Sequence, residues 1–189
     1  MNESRPLFIP VILGTTRKGR MSANPAKFVF GQLQKRSNVA TELIDIAELK
    51  IPVDDAGETA KDARFSDAME RADAIVIVSP EYNHSFPGLL KHVLDTCLKE
   101  YIHKAAGIVA VSAGAFGGAR AIENLQPALR ELGLVSIFWD VNFGSIHKTF
   151  DENGRLLDQA FIGRTDKFLN ELVWMAKVLR YGRENIALD

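Results

Sequence analysis

The sequence predicts an α/β protein in which a parallel β-sheet is covered by helices on both faces. Five short apolar runs alternate with five helical patterns along the chain, which is the order that βαβ units produce. The third run, Ala74–Val78, is continuous and mostly β-branched, as expected of a strand buried on both faces. The 189 residues correspond to about one domain, so residues 1–189 are predicted to form a single domain.

The predicted strands are the short apolar runs Leu7–Leu13, Val39–Ile44, Ala74–Val78, Ile108–Val111 and Val135–Val141. The predicted helices are the segments between and after them, Ser22–Lys35, Ala60–Ala72, Gly88–Glu100, Ala119–Leu132 and Gln159–Arg180. Two stretches, Glu48–Thr59 and Phe143–Leu157, are predicted as longer loops. Pro10 has no N–H, so the first paired strand either begins there or loses one ladder hydrogen bond.

The composition excludes several classes of protein. Lys and Arg number 23 and Asp and Glu 24, with a pI near 6.4, which argues against a nucleic-acid binder and against an acidic, charge-steered electron carrier. The single cysteine, Cys97, can form neither an internal disulfide nor a thiolate zinc site. No apolar stretch approaches the roughly 18 residues of a transmembrane helix. We expect a cytoplasmic protein with no membrane or nucleic-acid partner and no bound metal.

Three loops are the candidates for a binding site, because ligands of parallel sheets bind at the carboxyl ends of the strands. They are Gly14–Met21, Ser79–Pro87 and Ser112–Gly118, which follow the first, third and fourth predicted strands. These loops are also the chemically richest stretches of the sequence.

The first loop reads Gly-Thr-Thr-Arg-Lys-Gly-Arg-Met and leads into Ser22 at the start of a helix. Hydroxyls, guanidinium groups and N–H groups at a helix N-terminus together suit a phosphate. The Walker and Rossmann glycine patterns are both absent, which disfavours a nucleoside triphosphate or a dinucleotide held by them. The alternative is a solvated basic loop in which Ser22 serves only as the helix N-cap.

The second and third loops suit a flat ligand. Tyr82 and Phe86 offer apolar surface between two prolines, although both aromatic side chains could instead pack on the core. The third loop contains Gly114, Gly117 and Gly118, which would let backbone approach a ligand or would simply make a flexible connection.

The two motifs together resemble the NADPH-dependent FMN reductase family over about the first four-fifths of the chain. The pattern is a Gly-Ser-x-Arg type of phosphate loop followed by Pro-Glu-Tyr-Asn-x-Ser-x-Pro-Gly-x-Leu-Lys-Asn-x-x-Asp. The matching residues are Gly14, Thr15, Arg17, Pro80, Glu81, Tyr82, Asn83, Ser85, Pro87, Gly88, Leu90, Lys91 and Asp95. His92 replaces the asparagine, and extra residues precede Ser22, so which hydroxyl would meet the phosphate stays open.

The resemblance implies a flavodoxin-like fold with a five-stranded sheet in the order 2-1-3-4-5, and FMN as cofactor with NADPH or NADH as co-substrate. It implies that flavin N5 carries the hydride, with no catalytic side chain, to a small-molecule acceptor such as a quinone, free flavin, azo compound or metal oxyanion. From the loops and the resemblance together, the residues predicted at the cofactor are Gly14, Thr15, Thr16, Arg17, Arg20, Ser22, Pro80, Glu81, Tyr82, Asn83, His84, Ser85, Ser112 and Gly114. Backbone N–H groups of the second loop would reach N5 and O4 of the flavin.

Two rival functions are a flavodoxin-like electron carrier and a non-enzymatic flavin-binding protein. Arg17 and the net charge of −1 count against the carrier. A homodimer or homotetramer is expected, because one such domain leaves the outer face of a flavin exposed. The helix after Pro87 supports this, because it carries more apolar residues than a single core-facing stripe requires. Those residues are Leu89, Leu90, Val93, Leu94, Cys97 and Leu98.

Overall fold

The computed structural model describes residues 5–52 and 61–188. Its strands are β1 (Leu7–Phe8), β2 (Val11–Leu13), β3 (Val39–Ala40), β4 (Leu43–Asp45), β5 (Ala74–Pro80), β6 (Ala105–Val111), β7 (Val135–Ser136) and β8 (Val141–Phe143). Its helices are α1 (Ala23–Gln34), α2 (Ala63–Arg71), α3 (Gly88–Asp95), α4 (Ala119–Glu131), α5 (Ile146–Thr149) and α6 (Ala160–Asn185). The elements alternate as predicted, and every recorded strand pair is parallel.

The predicted α/β architecture is confirmed, but the strand count is not. The main sheet has six strands, in the order β4-β2-β5-β6-β7 with β8 also paired to β6, and β1 and β3 form a separate parallel pair. The prediction of five strands in the order 2-1-3-4-5 is therefore correct for the order in which the predicted runs lie side by side, but wrong for the number of strands. Three of the predicted runs are each broken into two short strands, which produces the difference.

Pro10 explains the break in the first predicted strand. The N–H groups of Ile9 and Val11 donate to Ala40 and Glu42, and the Pro10 carbonyl accepts from Val76 at 3.0 Å. The hydrogen bonding to the neighbouring strands thus continues on both sides of Pro10, and the bond that is lost is the one that proline cannot donate. Of the two alternatives for this strand, the loss of one ladder bond is the correct one.

Helices cover both faces of the sheet, and each face has its own hydrophobic core. Alternate residues of β2 and β5, such as Val11 and Val76, pack against α1 and α6. Their neighbours Ile12 and Ile75 face α2, α3 and α4 on the other side. This alternation is what buried parallel strands require, because successive side chains point to opposite faces.

Two loop predictions differ from the structure in part. The stretch Phe143–Leu157 contains the short helix α5, so its prediction as a loop throughout is wrong. Of the predicted loop Glu48–Thr59, residues 53–59 lie outside the described residues, as does Ala60 at the start of the predicted second helix. In the described ranges, no helix has the length and apolarity needed to cross a bilayer.

Candidate active site

A cavity of about 370 Å³ opens at the carboxyl edge of the sheet, where the three predicted loops meet. Its size is that of a small-molecule site. The residues around it come from those loops and from the start of α5, and they are Arg17, Lys18, Gly19, Arg20, Met21, Ser22, Pro80, Glu81, Tyr82, Val111, Ser112, Ala113 and Ile146. The fold therefore brings seven of the predicted site residues together, namely Arg17, Arg20, Ser22, Pro80, Glu81, Tyr82 and Ser112.

Three buried polar atoms without a hydrogen-bond partner among the described residues belong to side chains of this cavity. They are Ser22 Oγ, Arg20 Nε and Glu81 Oε2. An unpaired buried polar group costs free energy comparable to a lost hydrogen bond, so such groups need a reason to persist. A larger groove of about 620 Å³ lies between α1 and α6, but none of these unpartnered atoms belongs to it. The carboxyl-edge cavity is therefore the better candidate for a ligand site.

Ser22 occupies the N-cap position of α1 without acting as a cap. Its side chain is 2% exposed, and its hydroxyl makes no hydrogen bond to the backbone of the first helical turn. The interpretation of Ser22 as a simple N-cap is therefore wrong. Its hydroxyl is left without a partner at the N-terminus of a helix, where the helix dipole favours an anion.

The cations of the first loop divide into two kinds. Arg17 and Lys18 are exposed, and the guanidinium of Arg17 lies 5.8 Å from the ring centroid of Tyr82. Arg20 is partly buried and forms an ion pair with Asp45 at the end of β4. Arg20 is thus held by a residue of the sheet, whereas the exposed side chains of Arg17 and Lys18 can reorient toward a ligand.

Three predicted residues of the first loop lie beside the cavity and not on its wall. The Gly14 N–H donates to the Val78 carbonyl at 2.8 Å, and a Cβ on Gly14 would lie 2.8 Å from a methyl group of Leu90. Gly14 therefore serves the close packing of β2 on its neighbours. Thr15 is buried and lies 2.9 Å from the hydroxyl of Tyr82, so it supports that side chain. Thr16 lines a separate cavity of about 160 Å³.

The second loop is a tight turn whose centre is Asn83 and His84. The backbones of Tyr82 and Ser85 exchange hydrogen bonds of 2.8 and 3.0 Å, and φ is positive at both central residues, as in a type I′ turn. Asn124 of α4 fixes the turn by donating to the His84 carbonyl at 3.0 Å.

This turn restricts which backbone N–H groups could reach a ligand. The N–H of Glu81 donates to the Val111 carbonyl, and those of Tyr82 and Ser85 are used within the turn. Within the described part of the chain, no hydrogen bond uses the N–H groups of Asn83 and His84. Any N–H donated by this turn to a cofactor therefore comes from its tip.

The third loop is shaped by its own hydrogen bonds. The hydroxyl of Ser112 donates to the Gly114 carbonyl at 2.8 Å, and Gly114 itself does not line the cavity. Gly117 and Gly118 have φ of 63° and 82°, and a Cβ at either would lie under 3 Å from neighbouring strand atoms. These two glycines thus let the loop pack on the sheet, which is a different role from approaching a ligand.

Sequence reasoning missed Ile146, at the start of α5. The ring of Phe143 stacks on Phe161 at 4.2 Å and packs against Phe150 at 5.6 Å, which holds α5 beside the cavity. Two phenylalanines and an isoleucine within a segment predicted as a loop were the available signal. Among the described residues, no cluster of three or more His, Cys, Asp or Glu is placed to hold a metal ion.

Comparison with known proteins identifies the family. Residues 8–148 match the family model described as NADPH-dependent FMN reductase. A quinone reductase of Pseudomonas putida is 30% identical over 175 residues, covering 85% of this chain and 91% of that protein. An NAD(P)H-dependent FMN reductase of Pseudomonas aeruginosa is 31% identical over 155 residues, covering 78% and 83%.

Solved structures agree on the fold. FerB, a flavoenzyme NAD(P)H:(acceptor) oxidoreductase of Paracoccus denitrificans, superposes with a TM-score of 0.72 at 24% identity, covering 90% of this chain and 98% of that one. This likeness supports the flavodoxin-like arrangement of a parallel sheet between helices. The predictions of an oxidoreductase with FMN and NAD(P)H are confirmed: the chain belongs to the NADPH-dependent FMN reductase family.

Proposed function

We propose that the chain binds FMN in the carboxyl-edge cavity and transfers reducing equivalents from NAD(P)H to a small-molecule acceptor, with quinones as the first candidates. The observation that carries the assignment is Ser22, a buried N-cap residue whose hydroxyl has no partner. A terminal phosphate at the start of α1 would supply that partner and could also accept from the Ala23 N–H, because the Asn24 N–H already donates to the Met21 carbonyl and Pro25 has no N–H.

The first loop suits the phosphate of FMN. Two of the unpartnered atoms, Ser22 Oγ and Arg20 Nε, belong to this loop. The exposed side chains of Arg17 and Lys18 line the same cavity. A phosphate monoester carries about two negative charges at neutral pH, which this set of cations would balance. Of the hydroxyl-bearing residues predicted to bind the phosphate, Thr16 is the least suited, because it lines the neighbouring cavity.

The other walls suit the remainder of the cofactor. Tyr82, Met21 and Ile146 supply apolar surface for a planar ring system. The carboxylate of Glu81 has one buried oxygen without a partner, and ribityl hydroxyl groups are donors that would satisfy it. The N–H groups of Asn83 and His84 are the ones in this turn that remain for the flavin ring.

The chemistry that bound FMN supplies is acceptance of a hydride from NAD(P)H, followed by reduction of a second molecule. The chain's own contribution is to orient the reactants and to place donors where negative charge develops. Both reactants would occupy the same open side of the cavity in turn. We therefore expect parallel-line, ping-pong kinetics with NADPH and a quinone, and a ternary complex would contradict this.

The identity of the cofactor is tested by releasing it with heat. We expect the released flavin to be FMN, and release of FAD would contradict the proposal. Arg17→Ala should then weaken FMN binding about 10-fold, because one charge-assisted contact is lost and the side chain is exposed. Riboflavin lacks the phosphate, so its affinity should change less than twofold in titrations of the apoprotein. Equal losses for the two ligands would mean that Arg17 supports the fold and not the phosphate.

We also propose that the enzyme is a homodimer or homotetramer, because the cavity is open on one side and a second subunit would complete its wall. The residue to test is Leu89, which is 45% exposed on α3, whereas Leu90 beside it is fully buried in the core. Leu90 is thus excluded as the interface residue of this helix. Leu89→Glu should lower both the mass measured by light scattering and the reductase activity. A fully active monomeric wild type would contradict the proposal.

Two further expectations belong to this proposal. The chain would act as a single catalytic domain over residues 1–189, and the enzyme would operate in the cytoplasm. Support for the second comes from Cys97, which is the single cysteine of the sequence and is free, so that the fold depends on no internal disulfide. Burial raises the pKa of its thiol to about 11, which keeps the thiol protonated and unreactive.

A further inference from the structure

Asp45 lies next to the first loop although it is 25 residues away from Arg20 in the sequence. It is the last residue of β4, and it pairs in register with Leu13, the last residue of β2. The loop that begins after Leu13 carries Arg20, whose guanidinium forms an ion pair with the Asp45 carboxylate. Both side chains are largely buried, with 18% and 19% of their surface exposed.

Asp45 is itself held in place from two directions. Its backbone belongs to the sheet, and its Oδ1 accepts from the Ala47 N–H at 2.9 Å, which caps the short 3-10 helix Ile46–Glu48. The other oxygen, Oδ2, receives the terminal Nη2 of Arg20. The carboxylate is thus anchored to the sheet, and it holds the Arg20 guanidinium of the loop through the ion pair.

The ion pair engages one of the five guanidinium donors of Arg20, and the buried Nε–H is among those that remain without a partner. The nearby Ser22 hydroxyl, which lines the same cavity, is also buried and without a hydrogen-bond partner. A guanidinium has five donors in a rigid fork, so fixing one end fixes the direction of the others. Holding Nη2 on Asp45 therefore restricts the directions in which the Nε–H can point.

We infer that Asp45 is a positioning residue for FMN, and that it acts by fixing Arg20 so that the Arg20 Nε–H and the Ser22 hydroxyl form a paired donor site for the phosphate. The inference rests on the proposed function, since it assigns a role within the same cavity. It has an unusual consequence, because Asp45 is an anion that strengthens the binding of another anion.

The sign of one substitution separates this account from simple electrostatics. Asp45→Asn keeps an oxygen that can accept from Ala47 but loses the charge that holds Arg20. If Asp45 acted only through its charge, removing it would tighten the binding of a negatively charged phosphate. If Asp45 positions Arg20, the same change should weaken FMN binding about 10-fold and leave riboflavin within twofold.

The experiment titrates apoprotein with FMN and with riboflavin and measures flavin fluorescence. Wild type, Asp45→Asn, Arg20→Lys, Arg20→Ala and the double variant Asp45→Asn/Arg20→Ala are compared, with Asp67→Asn as a matched control on the exposed face of α2. Arg20→Lys keeps the charge but has no Nε–H, so it should also lose about 10-fold for FMN alone. In the Arg20→Ala background, Asp45→Asn should have no further effect.

Three results would overturn the inference: tighter FMN binding by Asp45→Asn, equal losses for FMN and riboflavin, or full FMN affinity in Arg20→Lys. The last result applies even if Asp45→Asn fails to fold. Failure of the proposed function looks different, because wild-type protein would then bind FMN and riboflavin equally well or bind neither.

Discussion

The two edges of the sheet differ in how completely their buried polar groups are paired. At the amino edge, the fully buried carboxylate of Asp73 accepts two hydrogen bonds from Arg5, at 2.7 and 2.9 Å, one from Arg183 and one from the Phe8 N–H. Arg180 lies 3.8 Å from the same carboxylate. At the carboxyl edge, the side chains around the cavity retain buried polar atoms without partners.

This difference separates stability from function. A buried charge whose hydrogen bonds are all made within the protein has nothing left to offer a ligand, and removing one partner strands the others. A buried polar atom without a partner lowers stability and is retained where a ligand completes it. Substitutions at the amino edge should therefore change unfolding, whereas those at the carboxyl edge should change flavin binding.

The largest expected effect is that of Asp73→Asn. This variant leaves three arginines at the amino edge without their anion, which should reduce the free energy of unfolding by about 3 kcal/mol. Urea denaturation with and without FMN measures the change, and the FMN affinity of the folded fraction should match that of wild type. A tenfold loss of FMN affinity at unchanged stability would break the distinction between the edges.

The next effect is a dependence of stability on pH at Lys104, also at the amino edge. Burial, and secondly the charge of Arg183, lower the pKa of Lys104 to about 8, while its ammonium donates to the Met69 and Glu70 carbonyls at the end of α2. The unfolded chain binds this proton up to the ordinary pKa of about 10.4, so between pH 8 and that value the unfolded state holds more protons than the folded one.

Wild type should therefore gain stability relative to Lys104→Met as the pH rises through that window. The difference in the free energy of unfolding should shift by about 2 kcal/mol between pH 7.5 and 10. Urea denaturation of both proteins at the two pH values measures it. A difference that stays constant would mean that Lys104 keeps an ordinary pKa in the folded state.

The smallest effect is expected for Thr16→Val. Thr16 stands at the variable position of the phosphate-loop motif, and it lines the neighbouring cavity. FMN affinity should therefore remain within twofold of wild type in the same fluorescence titration. A loss of tenfold or more would return Thr16 to the site and would require the loop to rearrange when flavin binds.

The sequence predicts the layered fold and the location of the site well, because both follow from local patterns. Continuous apolar runs identify buried strands such as β5, and parallel strands place their following loops at one edge. It does not predict where a strand breaks: Ile137–Asp140 separate β7 from β8 although the apolar run continues through Trp139.

Individual site residues are less predictable, since a motif does not reveal which side chains already have partners. The hydroxyl of Thr15 is hydrogen-bonded to that of Tyr82, and Gly14 packs closely against Leu90. The ion pair of Arg20 with Asp45 joins two segments whose proximity depends on the register of β2 and β4. Such contacts exist only in the folded chain.

The most direct test of the difference between the edges is Ser22→Ala, measured by apoprotein unfolding and by FMN titration in parallel. We expect the variant apoprotein to be as stable as wild type or more stable, because a buried hydroxyl without a partner is removed. We also expect about a 10-fold loss of FMN affinity with little change for riboflavin. A destabilised apoprotein that binds FMN as tightly as wild type would contradict both expectations, because Ser22 would then be a structural cap and not part of the phosphate site.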